Sequence, residues 1–557
     1  MTRRWMRQAE ARPDSEAIVH LRAGDPPFRW TWDRLVSRAL DLARLLDEAG
    51  VRRGQVCALV IRHHREFYPL YVAVEFLGAI PAVLAYPNPR LHPDKLRTGL
   101  EGMARHSGLD WLLTESSLDP IVRPLAVGES ATIRGVLHPL EVQSSAPALQ
   151  ALPEADPAAP CLLQHSSGTT GLQKAVMLSH QAVLRHIENY SRAIGLSAAD
   201  RIVSWLPLYH DMGLIAAFHL PLACGIPTVQ IDPFEWIVAP ALFLEALWRE
   251  LGTVGWLPNF AYNLMTSRIH DEELEGARLD HVRMLINCSE PVRADSLEAF
   301  ARRFAAYGLR SEALGASYAM AETTFAVTQT EPGRRAKVLS AARDDLRAGT
   351  FRLAREGELA REVVSSGKLI PGCTLKVLDE QGLELDEGLV GEFLVGSESM
   401  FTGYRGAPER TARVLHDGWY RSGDYGFLWE GEAYVIGRKN DLIIVAGKNL
   451  YPEDIEDAVG AVDGILAGRV VAFGVDDPAT GTQQVWVAAE TQLTEEAALR
   501  TLRARVVEAG MRIDVTISVA KLVPPRWLIK SSAGKPSRSA NRDRLLAGSP
   551  DDRSEDP

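Results

Sequence analysis

The sequence has little cysteine, no sustained apolar run and no basic stripe, and each absence removes a class of protein. Its five cysteines, Cys57, Cys161, Cys224, Cys288 and Cys373, lie far apart in 557 residues with no C-x-x-C pair. That argues against a disulfide framework and a cysteine zinc site, and fits a reducing compartment. The most apolar stretch, Pro69–Pro87, is broken by Glu75, Gly78 and Pro81. It reads as helix, turn and buried strand rather than as a membrane span. The opening MTRRWMRQAEARPD carries basic residues but no apolar segment, so no signal peptide is expected and the location expected is cytoplasmic. Lys and Arg number 61 against 72 Asp and Glu, for a net charge of −11. With no basic stripe carrying interleaved aromatics, nucleic acid is not an expected partner. What remains is a chain 46% hydrophobic and 24% charged, of ordinary globular composition and long enough for roughly two to four structural units.

Periodicity supplies the layout. Thr31 is placed to cap a helix carrying Leu35, Ala39, Leu42, Leu45 and Ala49, with Gly50 as its stop. A buried strand at Val56–Ile61, a helix over Glu66–Leu77 and a strand at Ala79–Ala85 follow. Such alternation predicts α/β layering with a largely parallel sheet. The pattern resumes with a helix from Gln181 to Ala193, strands at Ile226–Ile231 and Met284–Ile286, and a helix at Pro240–Leu251. Residues Ile202–Leu214 read as a strand running into a loop that carries His210 and Asp211. Glu331–Glu362 is charged and weakly patterned, as an insertion would be, and from Leu375 short alternating strands take over. Past Gly437 a smaller α+β unit is expected: helix Pro452–Val459, strands Val470–Phe473 and Gln484–Glu490, helix Glu495–Val507, then a disordered tail at 546–557.

The most informative stretch is Gln164–Lys174, QHSSGTTGLQK, between apolar CLL and AVML. Glycines let backbone N–H groups approach an anion, hydroxyls add donors, and a closing lysine adds positive charge. A polyphosphate needs those features, although the spacing is not that of a P-loop NTPase.

Four further motifs follow in order: YAMAETT (Tyr318–Thr324), YRSGDYG (Tyr420–Gly426), GRKNDLIIVAGKNLYPEDIE (Gly437–Glu456) and SAGKPSR (Ser532–Arg538). With SSGTTGLQK they make the chain resemble the adenylate-forming superfamily of acyl-CoA synthetases, adenylation domains and luciferases. SWLPLYHDMGLI, LPNFAYNLM, CSEPVRADSLEAF and an insertion ending in SSGKLIPG resemble its fatty-acyl-AMP ligase branch. The resemblance implies a large N-terminal part of stacked β/α subdomains, residues 1–437 with the insertion at about 331–362. A small mobile α+β C-terminal lid would occupy residues 438–545. It implies a carboxylic acid substrate activated with ATP and Mg²⁺ as acyl-adenylate. The acyl group then passes to the phosphopantetheine thiol of coenzyme A or an acyl carrier protein acting in trans. Two anions 4 Å apart repel by roughly 4 kcal/mol at an effective dielectric of 20, so such a site must offset charge and hold the attack in line.

Residue by residue, the resemblance makes Ser166, Ser167, Gly168, Thr169, Thr170, Gly171 and Lys174 the phosphate loop. Tyr318 would stack on adenine, with Ser289, Glu290 and Pro291 along its other side and Met320 and Thr323 beside the nucleotide. Glu322 would hold Mg²⁺, a hard cation that takes oxygen ligands. Asp424 would accept both ribose hydroxyls and Arg438 would contact the nucleotide. Lys535 would bridge the attacking carboxylate and the α-phosphate, on a lid hinged at Asn440. His210 stands where the family has a gate to the acyl pocket, and Trp205, Leu206, Phe260 and Met265 would line an apolar slot. The chain departs from the family's Gly-x-Pro-Lys-Gly at Gly171–Ala175, GLQKA. The lysine survives; loss of Pro removes a fixed φ angle, and Ala cannot take left-handed angles as cheaply as Gly. An enzyme working mainly on pre-formed acyl-adenylate, or an inactive adenylate-binding protein, are the alternatives.

Overall fold

The computed structural model describes residues 1–86, 101, 107–126, 133–142, 156–166, 174–445, 448–477, 482–530 and 536–548. Two large mixed sheets dominate it. The first runs Gly403–Tyr404, Lys174–Ser179, Pro160–Ser166, Ile80–Val83, Val56–Val60, Trp111–Thr114, Gly135–Leu137. Its central strands are parallel, and Lys174–Ser179 and Gly403–Tyr404 add antiparallel at one edge. The second runs Lys368–Leu369, Ala326–Gln329, Leu314–Ala319, Met284–Asn287, Val254–Leu257, Ile202–Ser204, Thr228–Ile231, Glu16–Leu21, Phe28–Thr31. Strands such as VCALV and MLIN are buried along their whole length, as parallel strands covered on both faces must be. The helix Trp32–Glu48 starts where Thr31 caps it, the hydroxyl accepting from Arg34 N–H. It packs with the fully buried helix Phe67–Phe76 into the core shared by the two sheets.

A five-stranded antiparallel sheet follows, built from Cys373–Leu378, Gly391–Ser397, Trp419–Trp429, Leu415–His416 and Glu432–Arg438. Beyond it comes a three-stranded sheet, Val470–Asp477, Thr482–Glu490 and Ile517–Val523. Helices Pro452–Gly460 and Glu496–Met511 share with it a separate apolar cluster that includes Ile443, Ile455, Val459, Val487 and Val506. The α/β architecture with a small α+β unit at the C-terminal end is therefore as expected. No helix among the described residues is long and apolar enough to cross a membrane.

One segment differs in part from its sequence reading, and another gains detail. After the strand Ile202–Ser204 the chain does not stay a loop: Met212–His219 forms a π-helical segment, continued by the helix Leu220–Cys224. MGLIAAFH is apolar on every side and wholly buried, so it has no period to read. Gly213 is required there, because a Cβ would stand 2.4 Å from the Pro207 carbonyl oxygen. The charged insertion is also ordered. Val338–Ala342 pairs antiparallel with Ala360–Val364, and the short helix Arg343–Arg347 lies between them.

Candidate active site

The edge of the seven-stranded sheet brings three distant segments together. The strand Lys174–Ser179 pairs with Gly403–Tyr404, so that Val176 lies beside Tyr404. The turn Ala321–Thr323, at the end of the strand Leu314–Ala319, lies against both, with Phe401 N–H donating to the Glu322 carbonyl oxygen. Here the Tyr404 hydroxyl donates to Glu322 Oε1 at 2.6 Å and accepts from Lys174 Nζ at 3.3 Å. Lys174 Nζ stands 3.8 Å from Glu322 and 5.0 Å from the centre of the Tyr404 ring. The Tyr420 hydroxyl is 3.3 Å from that of Tyr404. Burial pulls the Lys174 ammonium below its usual range, while Glu322 and Asp424 oppose the shift and Arg410 and Arg438 add to it. Both carboxylates and both arginines are thus electrically in contact with this lysine.

The second group sits on the five-stranded sheet. Asp424 and Arg438 are cross-strand partners, which fixes the Arg438 Nε to Asp424 Oδ1 bond at 3.0 Å. The Tyr318 hydroxyl donates to Asp424 Oδ2 at 2.7 Å, and the Asp424 N–H donates to Ser422 Oγ. Both carboxylate oxygens are engaged, yet each keeps a second lone pair for a further donor. Tyr420 and Asp424 share the strand Trp419–Trp429, and Asp424 and Arg438 are near enough to Lys174 to act on its charge.

Two of the seven non-glycine residues with positive φ among the described residues lie here. Thr324, directly after the Glu322 turn, holds φ at 73°, a costly conformation for a β-branched residue. Its hydroxyl is tied to the Ser399 carbonyl oxygen at 2.8 Å. Ser289 has φ of 70°, beside Glu290, whose Oε2 accepts the Phe260 N–H at 3.1 Å. The Thr323 hydroxyl turns inward onto the carbonyls of Met320 and Phe325.

On the presumed acyl side, Trp205 is flush against Trp236, with ring centroids 3.5 Å apart and planes 8° apart. Phe260 meets both rings edge-on, and at 38% exposure it is the accessible edge of this cluster. Leu206 and Met265 are buried. His210 Nδ1 lies 2.6 Å from Asp211 Oδ1, and its side chain is a quarter exposed.

The C-terminal unit faces this region. Arg293, three residues after Glu290, pairs with Asp457 at 2.6 Å. Desolvation lowers the Lys530 ammonium to about 8, and Glu290 is among the charges that oppose this. The insertion also holds the unit. Arg347 donates to the Ile513 carbonyl oxygen at 2.7 Å, the Tyr451 hydroxyl to that of Leu346 at 3.3 Å, and Arg361 pairs with Asp454 at 3.0 Å. Asn440 lies in the Lys439–Asp441 turn that follows the strand Glu432–Arg438.

Of the expected phosphate loop, Ser167, Gly168, Thr169, Thr170 and Gly171 lie outside the described residues, as does Lys535; Ser166 ends the strand Pro160–Ser166. Tyr404, Arg410 and Trp236 carry no signal in the sequence, and Tyr420 is marked there only as the start of its motif. The Gly-Tyr of FTGYRG was a visible turn signal, but nothing local to it points at Glu322.

Among the described residues no three His, Cys, Asp or Glu side chains converge on a metal-sized site. Glu322, one nearly buried carboxylate, nevertheless suits Mg²⁺, which binds through one or two carboxylates plus substrate phosphates. The site offers a lysine beside a nearly buried carboxylate and a second carboxylate held by an arginine and a tyrosine.

Comparison with known proteins agrees with this layout. The family described as AMP-binding enzyme matches residues 5–405. The chain is 32% identical to a Caulobacter vibrioides protein named as an acyl-CoA synthetase, over 92% of this chain and 90% of that one. It is 30% identical to the long-chain-fatty-acid–AMP ligase FadD26 of Mycobacterium marinum, over 96% of this chain and 95% of that one. A solved structure from work on the fatty acyl-adenylate ligases of E. coli and L. pneumophila superposes with a TM-score of 0.89 at 25% identity, covering 98% of this chain and 97% of that one.

Proposed function

Since this chain belongs to the AMP-binding enzyme family, we propose that it is an AMP-forming acid ligase. It activates a hydrophobic carboxylic acid, fatty or cyclic, as acyl-adenylate with ATP. It then passes the acyl group to a phosphopantetheine thiol. The names of its relatives, an acyl-CoA synthetase and a long-chain-fatty-acid–AMP ligase, support this class of reaction. The single observation that carries the reading is the placing of Lys174 and Glu322, held by Tyr404, near Asp424, held by Arg438 and Tyr318, so that Asp424 and Arg438 act on the Lys174 charge.

In this reading residues 1–437 bind nucleotide and acid, and residues 438–545 form a lid that turns about Asn440. Lys174 and the loop before it hold the phosphates, Asp424 takes the ribose hydroxyls, and Tyr318 with Ser289–Pro291 brackets the base. Mg²⁺ would be held by Glu322 and the phosphate oxygens of ATP, and would neutralise charge on the departing pyrophosphate. One carboxylate oxygen of the acid attacks the α-phosphorus, and the bond to pyrophosphate breaks. Lys535 offsets the repulsion between the two anions as they meet. After the lid turns, a thiolate attacks the acyl carbon and AMP leaves with the bridging oxygen. Phe260 and the Trp205–Trp236 stack offer an apolar wall for the acid.

The insertion's hold on the lid through Leu346, Arg347 and Arg361 favours an acyl carrier protein over coenzyme A, because the resemblance to fatty-acyl-AMP ligases implies an insertion that braces the lid and disfavours coenzyme A. The test is pyrophosphate release with ATP, Mg²⁺ and a panel of fatty and cyclic acids, followed by addition of a carrier protein or coenzyme A and identification of products by mass. Acid-dependent pyrophosphate with acyl-carrier as the main thioester supports the proposal. No acid-dependent release across the panel removes the ligase reading, and preferential acyl-CoA formation removes the carrier reading.

A further inference from the structure

The turn that carries Glu322 is held in a conformation it would not keep alone. Thr324, which closes it, combines φ of 73° with ψ of −51°, close to the strained form of the γ-turn. For a β-branched residue such angles persist only where the surroundings over-determine them. Glycine would adopt them freely, yet Ala321–Phe325 contains none.

Those surroundings are a single segment. Glu398–Thr402 crosses from the strand Gly391–Ser397 of the five-stranded sheet to Gly403–Tyr404 on the edge of the seven-stranded one. It is tied at both ends, by the Glu398 N–H to the Gly372 carbonyl oxygen at 2.9 Å and by the Thr402 N–H to that of Met177 at 3.0 Å. Between these ties it grips the turn residue by residue. The Phe401 N–H donates to the Glu322 carbonyl oxygen at 2.8 Å. The Ser399 hydroxyl donates to that of Thr323 at 3.3 Å, and the Ser399 carbonyl oxygen accepts the Thr324 hydroxyl at 2.8 Å. Ser399 thus holds the turn twice, once as donor and once as acceptor, and Ser399, Thr323 and Thr324 are all buried.

The Ser399 hydroxyl is itself aimed. It has one proton to give. With that proton on the Thr323 carbonyl, the Ser397 hydroxyl at 2.9 Å donates to Ser399. Ser397 Oγ in turn accepts the Ser399 N–H at 3.1 Å and the Cys373 thiol at 3.5 Å. His186 Nδ1 stands 3.5 Å from the Ser399 oxygen. A buried chain of hydroxyls therefore ends on the backbone directly after Glu322.

We propose that Ser399 is a positioning residue for Glu322. Tyr404 holds the carboxylate itself, whereas Ser399 holds the strained backbone that carries it, and so fixes where the carboxylate stands. The inference rests on the assignment of Glu322 to Mg²⁺ above. Loss of the Ser399 grip weakens Mg-ATP, whose metal Glu322 would hold. It spares AMP, which needs no metal and would be held by Asp424 and Tyr318.

The test is calorimetric Kd for Mg-ATP, and for AMP in the presence of a chelator, across the parent, Ser399→Ala, Thr324→Val, Thr324→Ser and Glu322→Gln. Ser399→Ala, and Thr324→Val, which keeps the shape without the hydroxyl, are expected to raise Kd for Mg-ATP about fivefold or more with Kd for AMP within twofold. Thr324→Ser keeps the hydroxyl and is expected to stay within twofold on both. A rise below about fivefold for Mg-ATP in both hydroxyl-free variants, or AMP weakened in the same proportion as Mg-ATP, overturns the proposal. Should a urea melt show that Ser399→Ala does not fold, Thr324→Val decides by the same criteria. Mg-ATP binding that is unchanged in Glu322→Gln instead overturns the Glu322 assignment beneath it.

Discussion

Replacing Tyr404 with phenylalanine removes one hydroxyl and leaves the ring that Lys174 faces. That hydroxyl donates to Glu322 at 2.6 Å and accepts from Lys174 at 3.3 Å. A hydrogen bond to a charged group contributes about 1.5–3 kcal/mol. The cation–π contact at 5.0 Å persists, and so does the attraction of Lys174 for Glu322 at 3.8 Å, about 4 kcal/mol at an effective dielectric of 20. Freed of its donor, the carboxylate is expected to turn toward the lysine and away from the space where metal and phosphate would sit. The cost is therefore the orientation of Glu322, equivalent to a tenfold to hundredfold fall in kcat/KM for Mg-ATP by the roughly 1.4 kcal/mol per tenfold rule. KM for the acid should stay within twofold, and half-saturation for Mg²⁺ should rise. ATP–pyrophosphate exchange at varied Mg²⁺ reads all three. An unchanged Mg²⁺ dependence, or equal losses toward ATP and acid, refutes the role of Tyr404 as the part that aims Glu322.

Three further outcomes follow from the same structure. Asp424→Asn keeps the shape but leaves Arg438 and the Tyr318 hydroxyl without their anion, so KM for ATP should rise about tenfold with KM for the acid unchanged; equal rises contradict the ribose assignment. Burial holds His165 down to about 4 and His186 to about 3. The unfolded chain takes up protons below about pH 6.5 that these folded imidazoles refuse, so stability falls as pH drops from there, by about 2 kcal/mol for each at pH 5. His165→Gln should restore its share in urea melts at pH 5 and nothing at pH 8; an equal effect at both pH values is the contrary result. Burial raises Glu75 to about 8, and neither of its oxygens has a hydrogen-bond partner. The folded state then holds a proton that the unfolded state has lost between pH 4.5 and 8, so stability falls as pH rises through that window. Glu75→Gln should stabilise by up to about 3 kcal/mol at pH 7 and by little at pH 4.5; a loss of stability at pH 7 would count against a neutral Glu75.

Sequence and structure agree where the signal is local. Thr31 announces its helix, uniformly apolar runs such as VCALV give the buried parallel strands, and Asp424 and Arg438 were singled out before their cross-strand pairing was visible. Met212–His219 is buried all round and so has no period to read, and within the segment read as an insertion the strand pair Val338–Ala342 and Ala360–Val364 lies behind a charged surface. Tyr404 is silent in the sequence for a different reason. It matters through partners far away in the chain, Lys174 and Glu322. No spacing rule reaches across such separations, and only the sheet edge that brings them together makes it legible.

The central claim is that a carboxylate oxygen attacks the α-phosphorus of ATP and later leaves with AMP. Dodecanoic acid labelled with ¹⁸O in both carboxylate oxygens, turned over with ATP and a thiol acceptor, tests it most directly. One ¹⁸O is expected in each AMP formed and none in pyrophosphate, whereas label in inorganic phosphate, or AMP without label, would contradict attack by the carboxylate oxygen.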